Sequence, residues 1–249
     1  MSSTRSIKKN KTSGDYGFER TSSLNVLKSR GLTKSFSNST NRLDILKGIN
    51  IDIRRGEIVT IQGASGAGKS TLLHILGTLD KPTSGEVFIG DTNVFDLPED
   101  QLATFRNRTV GFVFQSHYLL PEFTALENVM MPLLVGGCLW EEARERAEVL
   151  LFDVGLQNRL AHKPEEMSGG EQQRVSVARA LVSRPSIILA DEPSGKLARD
   201  NGSALLDLMW DMSSRYEQAF VVVTHDEAIG SRSDRVYCLE DGLLTSVAA

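Results

Sequence analysis

Cysteine is scarce in this chain: 249 residues contain two, Cys138 and Cys238, far apart in sequence. So placed, they offer neither a disulfide framework nor a metal-ligand set, and they suit a reducing compartment. A dominant charge is also missing. The net charge of −4 gives no electrostatic case for a nucleic-acid partner. No apolar run approaches the roughly 20 residues that span a bilayer. Met1 to Arg20, mostly Ser, Thr, Lys, Gly and Asn, lacks the apolar segment of a secretory signal. A protein of this kind working at a membrane needs something else to hold it there. There is no internal repeat and no coiled-coil insertion. What is present has the balance of a soluble globular protein, 40% hydrophobic and 24% charged, with length for one domain plus a subdomain.

The stretch that organises the rest is Gly63-Ala64-Ser65-Gly66-Ala67-Gly68-Lys69-Ser70-Thr71. Two glycines five positions apart followed by Lys-Ser make the phosphate-binding loop of nucleoside triphosphatases. Glu57 to Gln62 before it reads as a buried strand, and Thr71 to Leu76 after it as a helix. The glycines let successive N–H groups converge on an anion, and the helix N-terminus adds partial positive charge there. Lys69 is expected to reach the β- and γ-phosphates and Ser70 to ligate Mg²⁺. The chain is expected to bind a nucleotide.

Residues 1–24 carry too little apolar surface to offset chain entropy and are expected to form a disordered polar tail. From Ser23 to Ile53 the pattern suggests short strands around a polar loop, Ser37 to Arg42. Arg54-Arg55-Gly56 is a turn, and Glu86 to Ile89 a strand followed by a turn at Gly90-Asp91. A short helix is expected over Pro98 to Asn107, opening at its proline, then a strand, Thr109 to Phe114, that delivers Gln115. Between about 116 and 167 the chain reads as an inserted helical subdomain. There Ala143, Ala147, Leu150 and Val154 recur with helical spacing up to Gly155. A helix from Gly169 to Ser183, a strand Ile187 to Asp191, a helix Asp200 to Arg215 and a strand Phe220 to Thr224 follow. A last hairpin turns at Asp241-Gly242. Alternating strands and helices around a phosphate loop predict a mainly parallel sheet in an α/β domain over 25–249.

The strand Ile187-Ile188-Leu189-Ala190 ends in Asp191-Glu192. Its carboxyl edge is where α/β proteins bind ligands. Asp191 is positioned to hold Mg²⁺ through its hydration shell, and Glu192 to polarise a water against a γ-phosphate. Met167-Ser168-Gly169-Gly170-Glu171-Gln172-Gln173-Arg174 adds a second potential anion site, small residues before a helix with the Ser168 hydroxyl and glycine N–H groups free to face phosphate.

In this order and spacing the elements resemble the ATP-binding-cassette ATPases, with Ser168 to Arg174 as the family's signature sequence. The resemblance spans about Leu24 to Thr245. It implies a nucleoside-triphosphatase core with an antiparallel β subdomain and an inserted helical subdomain. It also implies ATP and Mg²⁺ as ligands, and a homodimer in which Ser168, Gly169, Gly170 and Glu171 of one copy close over the nucleotide held by the other. Phe36 falls where the family stacks an aromatic ring on adenine. Gln115 falls where a glutamine senses Mg²⁺ and the attacking water, and His225 where a histidine contacts the γ-phosphate. His74, His117 and His162 match no catalytic position. One element departs from the pattern. After Glu192-Pro193 the family usually has Gly-Asn-Leu-Asp or Ala-Leu-Asp, whereas Ala198 stands here in the aspartate's place. Within the family, Leu72 to Gly85 and His117 to Val129 resemble the ATPases of bacterial lipoprotein release; macrolide-export and cell-division ATPases share much of this pattern. The resemblance implies integral membrane partners and a peripheral position on the cytoplasmic face of the inner membrane, with Leu119, Leu120, Phe123 and Leu126 filling a docking groove. A soluble cassette ATPase is the alternative class.

Overall fold

Apolar runs without polar alternation make the central strands, so both faces of their sheet are covered. The computed structural model describes residues 25–37 and 42–247. The expected tail over 1–24 and the middle of the loop Ser37 to Arg42 lie outside the described residues. In chain order the elements are β1 (Asn25–Ser37), β2 (Arg42–Arg54), β3 (Ile58–Gln62), α1 (Lys69–Leu76), β4 (Ser84–Ile89), β5 (Thr92–Asn93), α2 (Glu99–Thr109) and β6 (Val110–Phe114). Then come α3 (Ala125–Val135), α4 (Trp140–Asp153), α5 (Gly169–Leu181), β7 (Ile187–Asp191), α6 (Arg199–Tyr216), β8 (Ala219–Thr224), α7 (Glu227–Gly230), β9 (Arg235–Glu240) and β10 (Leu243–Val247).

Six strands form one sheet in the order β10-β9-β3-β8-β7-β6. All its neighbours run parallel except β10, which turns back beside β9. A second, antiparallel sheet has the order β2-β1-β4-β5. The expected mixture of a mainly parallel sheet and a separate antiparallel one is present. Along β8 the side chains divide by parity, as strand geometry demands. Phe220 and Val222 join a core with Val129, Leu151 and Val175 from the helices α3, α4 and α5. Val221 and Val223 join the opposite core, with Leu72 and Ile75 of α1 and Leu32 and Ile49 of the antiparallel sheet.

Two local expectations need correction. β1 and β2 are 13 residues each rather than short; bulges between Ser29 and Leu32 and between Lys34 and Ser35 let the pair bend and continue where alternation breaks. Pro98 is the residue before α2, not its first: its ψ of 150° is extended, and the helix begins at Glu99. Within 116–167 the spacing marked only α4, where Ala143, Ala147, Leu150 and Val154 are indeed buried. The preceding α3 contains Pro132, which reads in sequence as a helix stop.

Register decides where the site can be. Gln62 at the end of β3 pairs with Thr224 of β8. Asp191 at the end of β7 pairs with Val223 on one side and Phe114 on the other. Four parallel strands therefore finish within one residue of one another, and the next residues, Gly63, His225, Glu192 and Gln115, emerge together along one edge.

Candidate functional site

The loop after β3 turns sharply enough for its amides to face inward because glycine supplies backbone no other residue holds easily. Gly68, at φ 98°, caps α1, and a side chain there would drive its first carbon to 2.7 Å from Ile45. The helix then presents Ser70 and Thr71 in its first turn. Lys69 is almost buried, at 7% exposure. Its ammonium donates to the carbonyls of Gly63 and Ala64 at 2.8 and 3.0 Å, so it lies across the loop rather than extended from it.

Beside the loop, Ser70 Oγ donates to Asp191 Oδ1 at 3.1 Å. Burial raises the Asp191 carboxyl above its ordinary value, opposed by that hydrogen bond and by the nearby charges of His74 and Lys69. Glu192 follows with φ 44°, an uncommon backbone for a side chain of its size. Its amide donates to Val223 O at 3.0 Å, which pins the turn to β8. Its carboxylate has Thr224 Oγ1 at 3.2 Å on one oxygen and His225 Nδ1 at 2.8 Å on the other. The imidazole itself is largely exposed, at 69%.

These residues surround a cavity of about 500 Å³ lined by Ile45, Ser65, Gly66, Gly68, Lys69, Ser70, Thr71, Gln115, Glu192 and His225. Most of the expected phosphate, water and γ-phosphate residues are thus brought together. Gly63 and Ala64 form the entry to the loop, and Ala67 its last turn. Ile45, on β2, was missed; a lone isoleucine in a strand carries no sequence signal. Thr224 was missed as well, although its place before His225 pointed to it. Phe36 is not in the lining. It stands half exposed on β1, with Lys34 Nζ 5.1 Å over its ring.

The signature turn is elsewhere. None of Ser168, Gly169, Gly170 and Glu171 lines the cavity, and Ser168 and Gly169 are exposed. The Ser168 hydroxyl is not free, as expected from sequence, but closes a capping box. It donates to Glu171 Oε2 at 2.9 Å and accepts from the Glu171 amide at 3.3 Å. Glu171 is further held by Arg159 at 2.8 Å. That guanidinium, with the Ser168 amide and hydroxyl, lowers the Glu171 carboxyl to about 2. In this arrangement Glu171 shapes the helix start.

The segment after β6 is gripped from two sides. Gln173 and Arg179 of α5 donate to the carbonyls of Phe114, His117 and Tyr118 at 2.6–2.8 Å. The wholly buried Asn128 of α3 donates to Leu120, Phe123 and Thr124 carbonyls. Leu119 and Leu126 pack against the core, while Leu120 and Phe123 stay exposed with Tyr118. The four expected docking residues therefore divide, two inward and two outward. His74 meets Phe114 edge-on, and burial beside Arg179 and Lys196 lowers the basicity of His117.

Residues 46–195 match the family described as ABC transporter. The chain belongs to that family. Its fold and nucleotide-binding core are those of an ATP-binding cassette, and it is an ATPase of this kind. Among relatives, the lipoprotein-releasing system ATP-binding protein LolD of Syntrophus aciditrophicus is 50% identical over 90% of this chain and 100% of its own length. LolD of Bacteroides thetaiotaomicron is 52% identical, covering 88% and 99%. Among solved structures, the dimeric bacterial ABC transporter cassette MJ0796 superposes with a TM-score of 0.80 at 40% identity, covering 90% of this chain and 99% of that one. The same cassette in a post-hydrolysis dimer bound to ADP and Pi matches equally. No helix among the described residues is long and apolar enough to cross a membrane.

Proposed function

We propose that this chain hydrolyses ATP at a site completed by a second copy, and so drives a membrane complex that releases lipoproteins from the bacterial inner membrane. The chemistry rests on one observation: the phosphate loop, Gln115, Glu192 and His225 share one cavity, while the signature turn stays outside it with Ser168 and Gly169 exposed. The cargo rests on the likeness to lipoprotein-releasing relatives over nine-tenths of the chain.

Residues 63–71 cradle the triphosphate with backbone amides, and Lys69 leaves the loop carbonyls to pair with the β- and γ-phosphates. Phe36 stacks on adenine beside Ile45. Ser70 Oγ and Asp191 Oδ1, already 3.1 Å apart, are oxygen donors of the kind Mg²⁺ takes, and Gln115, whose amide carries a further oxygen, lines the same cavity as Ser70. These three would hold the ion, which when bound neutralises charge on the phosphate oxygens. Glu192 takes a proton from the attacking water, its carboxylate aimed by Thr224 and His225. His225 in turn contacts the γ-phosphate.

In the closed pair, Ser168, Gly169 and Gly170 of one copy cap the nucleotide held by the other, an isologous two-fold contact. Glu171 holds that turn in shape. The γ-phosphate favours the closed pair, and hydrolysis removes the bias. Membrane-embedded partners seat against the region after Gln115, where Leu120, Phe123 and Tyr118 are exposed. They hold the chain to the cytoplasmic face of the inner membrane, and 116–167 acts as the subdomain that carries this contact. The test is reconstitution: the chain, co-purified with its membrane-spanning partners into proteoliposomes, releases a membrane-anchored lipoprotein to a soluble acceptor only with hydrolysable ATP. Hydrolysis with lipoprotein retained in the vesicles would contradict the cargo assignment.

A further inference from the structure

We propose that Lys196 is a positioning residue for ATP hydrolysis, its ammonium latching the loop that follows Glu192 to Ser116, the neighbour of Gln115. Lys196 Nζ donates to Ser116 Oγ at 2.6 Å. The inference rests on the placing of Glu192 and Gln115 at the reacting phosphate, and adds a cause for their relative position.

Between Glu192 and Lys196 there is little slack. Gly195 N donates to Glu192 O at 3.0 Å and Leu197 N to Ser194 O at 3.0 Å, so the loop is two consecutive tight turns. Its backbone also presses on Gln115: a side-chain carbon at Gly195 would lie 2.8 Å from Gln115 Nε2. On the other side, Gln173 and Arg179 hold the carbonyls of Phe114, His117 and Tyr118. Those bonds fix the backbone on either side of residues 115 and 116 but touch neither side chain. The Lys196 latch supplies the hold at Ser116, and it comes from the loop that begins at Glu192. It therefore sets the distance between the general base and Gln115, which lines the same cavity.

The next residue of the same loop, and the first turn of α6 that follows it, lie beside the signature turn. The first side-chain carbon at Gly169 would lie 3.8 Å from Leu197, and that at Gly170 would lie 3.9 Å from Asn201. The loop thus lies between the part of the chain that serves its own nucleotide and the part that serves the partner's. The family pattern Gly-Asn-Leu-Asp puts asparagine where Lys196 stands and aspartate where Ala198 stands. This chain lacks that aspartate and carries instead a longer, charged side chain that anchors the loop within the same copy.

Lys196 is exposed, so the bond adds little to global stability, which makes the test clean. Lys196→Met, Lys196→Arg, Ser116→Ala, Lys196→Met with Ser116→Ala, and Gln115→Ala are compared in the full chain. The measurements are kcat and KM for ATP, thermal midpoint, and amide hydrogen exchange over 114–120. Lys196→Met and Ser116→Ala each lower kcat about three- to tenfold with KM within about twofold, the pair together being no worse than either alone. Exchange over 114–120 rises, the midpoint stays put, and Lys196→Arg restores kcat. Losses that multiply in the double variant, or unchanged kcat in Lys196→Met while Gln115→Ala loses it, would overturn the latch alone. Unchanged kcat in Gln115→Ala would overturn the role of Gln115, and the latch with it.

Discussion

Glu192 and His225 stand 2.8 Å apart, carboxylate Oε1 to imidazole Nδ1, at the ends of neighbouring parallel strands. With Thr224 at 3.2 Å on the other oxygen, the carboxylate is aimed through both of its atoms. Glu192→Gln keeps the shape and removes the base. It is expected to lower kcat by about a hundredfold or more while leaving ATP affinity within a few-fold, as measured by phosphate release and calorimetric titration. Thr224→Val, which frees one oxygen, is expected to cost about tenfold in kcat. Turnover unchanged in Glu192→Gln would remove Glu192 from the chemistry.

Lys69 is held over the loop by two carbonyls and is almost sealed from solvent. It is the one lysine or arginine among the described residues lining the cavity. Lys69→Ala is expected to weaken nucleotide binding by more than about tenfold and to abolish measurable hydrolysis, since binding and transition-state stabilisation share that charge. Titration with a fluorescent ATP analogue checks the first part, and phosphate release the second.

The start of α5 gives a pH dependence. Glu171 ordinarily titrates at 4.5 and here at about 2, chiefly through Arg159. Because the folded form binds its proton less readily than the unfolded chain, the stabilisation is complete above about 4.5 and is lost as pH falls towards 2. Arg159→Met is expected to shallow the loss of thermal stability across that window and to leave stability at pH 7 slightly lower. Parallel curves for the two proteins between pH 5 and 2.5, by calorimetry, would contradict the assignment.

Ala198 sits at the N-cap of α6 with no side chain to accept the exposed amides. Aspartate is among the best N-cap residues, worth about 0.5–2 kcal/mol over alanine. Ala198→Asp is expected to raise the thermal midpoint by about 1–8 °C. It is also expected to increase the ATPase rate or its Hill coefficient, because the same residue lies on the loop between the two sites. Identical midpoints would refute the cap; identical rates and Hill coefficients would refute the coupling.

Much of this was legible in the residues. The glycine spacing from Gly63 to Gly68 and the apolar run ending at Asp191-Glu192 each encode a local geometry, and strand pairing then levels their ends. The equivalence of β3, β7 and β8 as buried parallel strands followed from runs such as Phe220 to Val223, where no polar face exists. What sequence left hidden depends on long-range packing. Ile45 reaches the cavity because a distant hairpin folds beside the phosphate loop, and Ser168, which before two glycines reads in sequence as an open hydroxyl, is occupied by a capping box. The serine-to-glutamate spacing of that box was in plain view, but its competition with phosphate is a matter of three-dimensional reach. Helix α3 was obscured by Pro132, and the grip of Asn128, Arg179 and Lys196 on the segment after Gln115 joins positions up to 80 residues apart.

The claim on which the rest depends is that a second copy completes the site. Light scattering of Glu192→Gln, with and without ATP and Mg²⁺, tests it most directly, with Glu192→Gln, Ser168→Arg as the companion. The account predicts a monomer without nucleotide, a dimer with it, and a monomer under both conditions when Ser168 is replaced. A Glu192→Gln protein that binds ATP yet stays monomeric, or a dimer indifferent to Ser168→Arg, would contradict it.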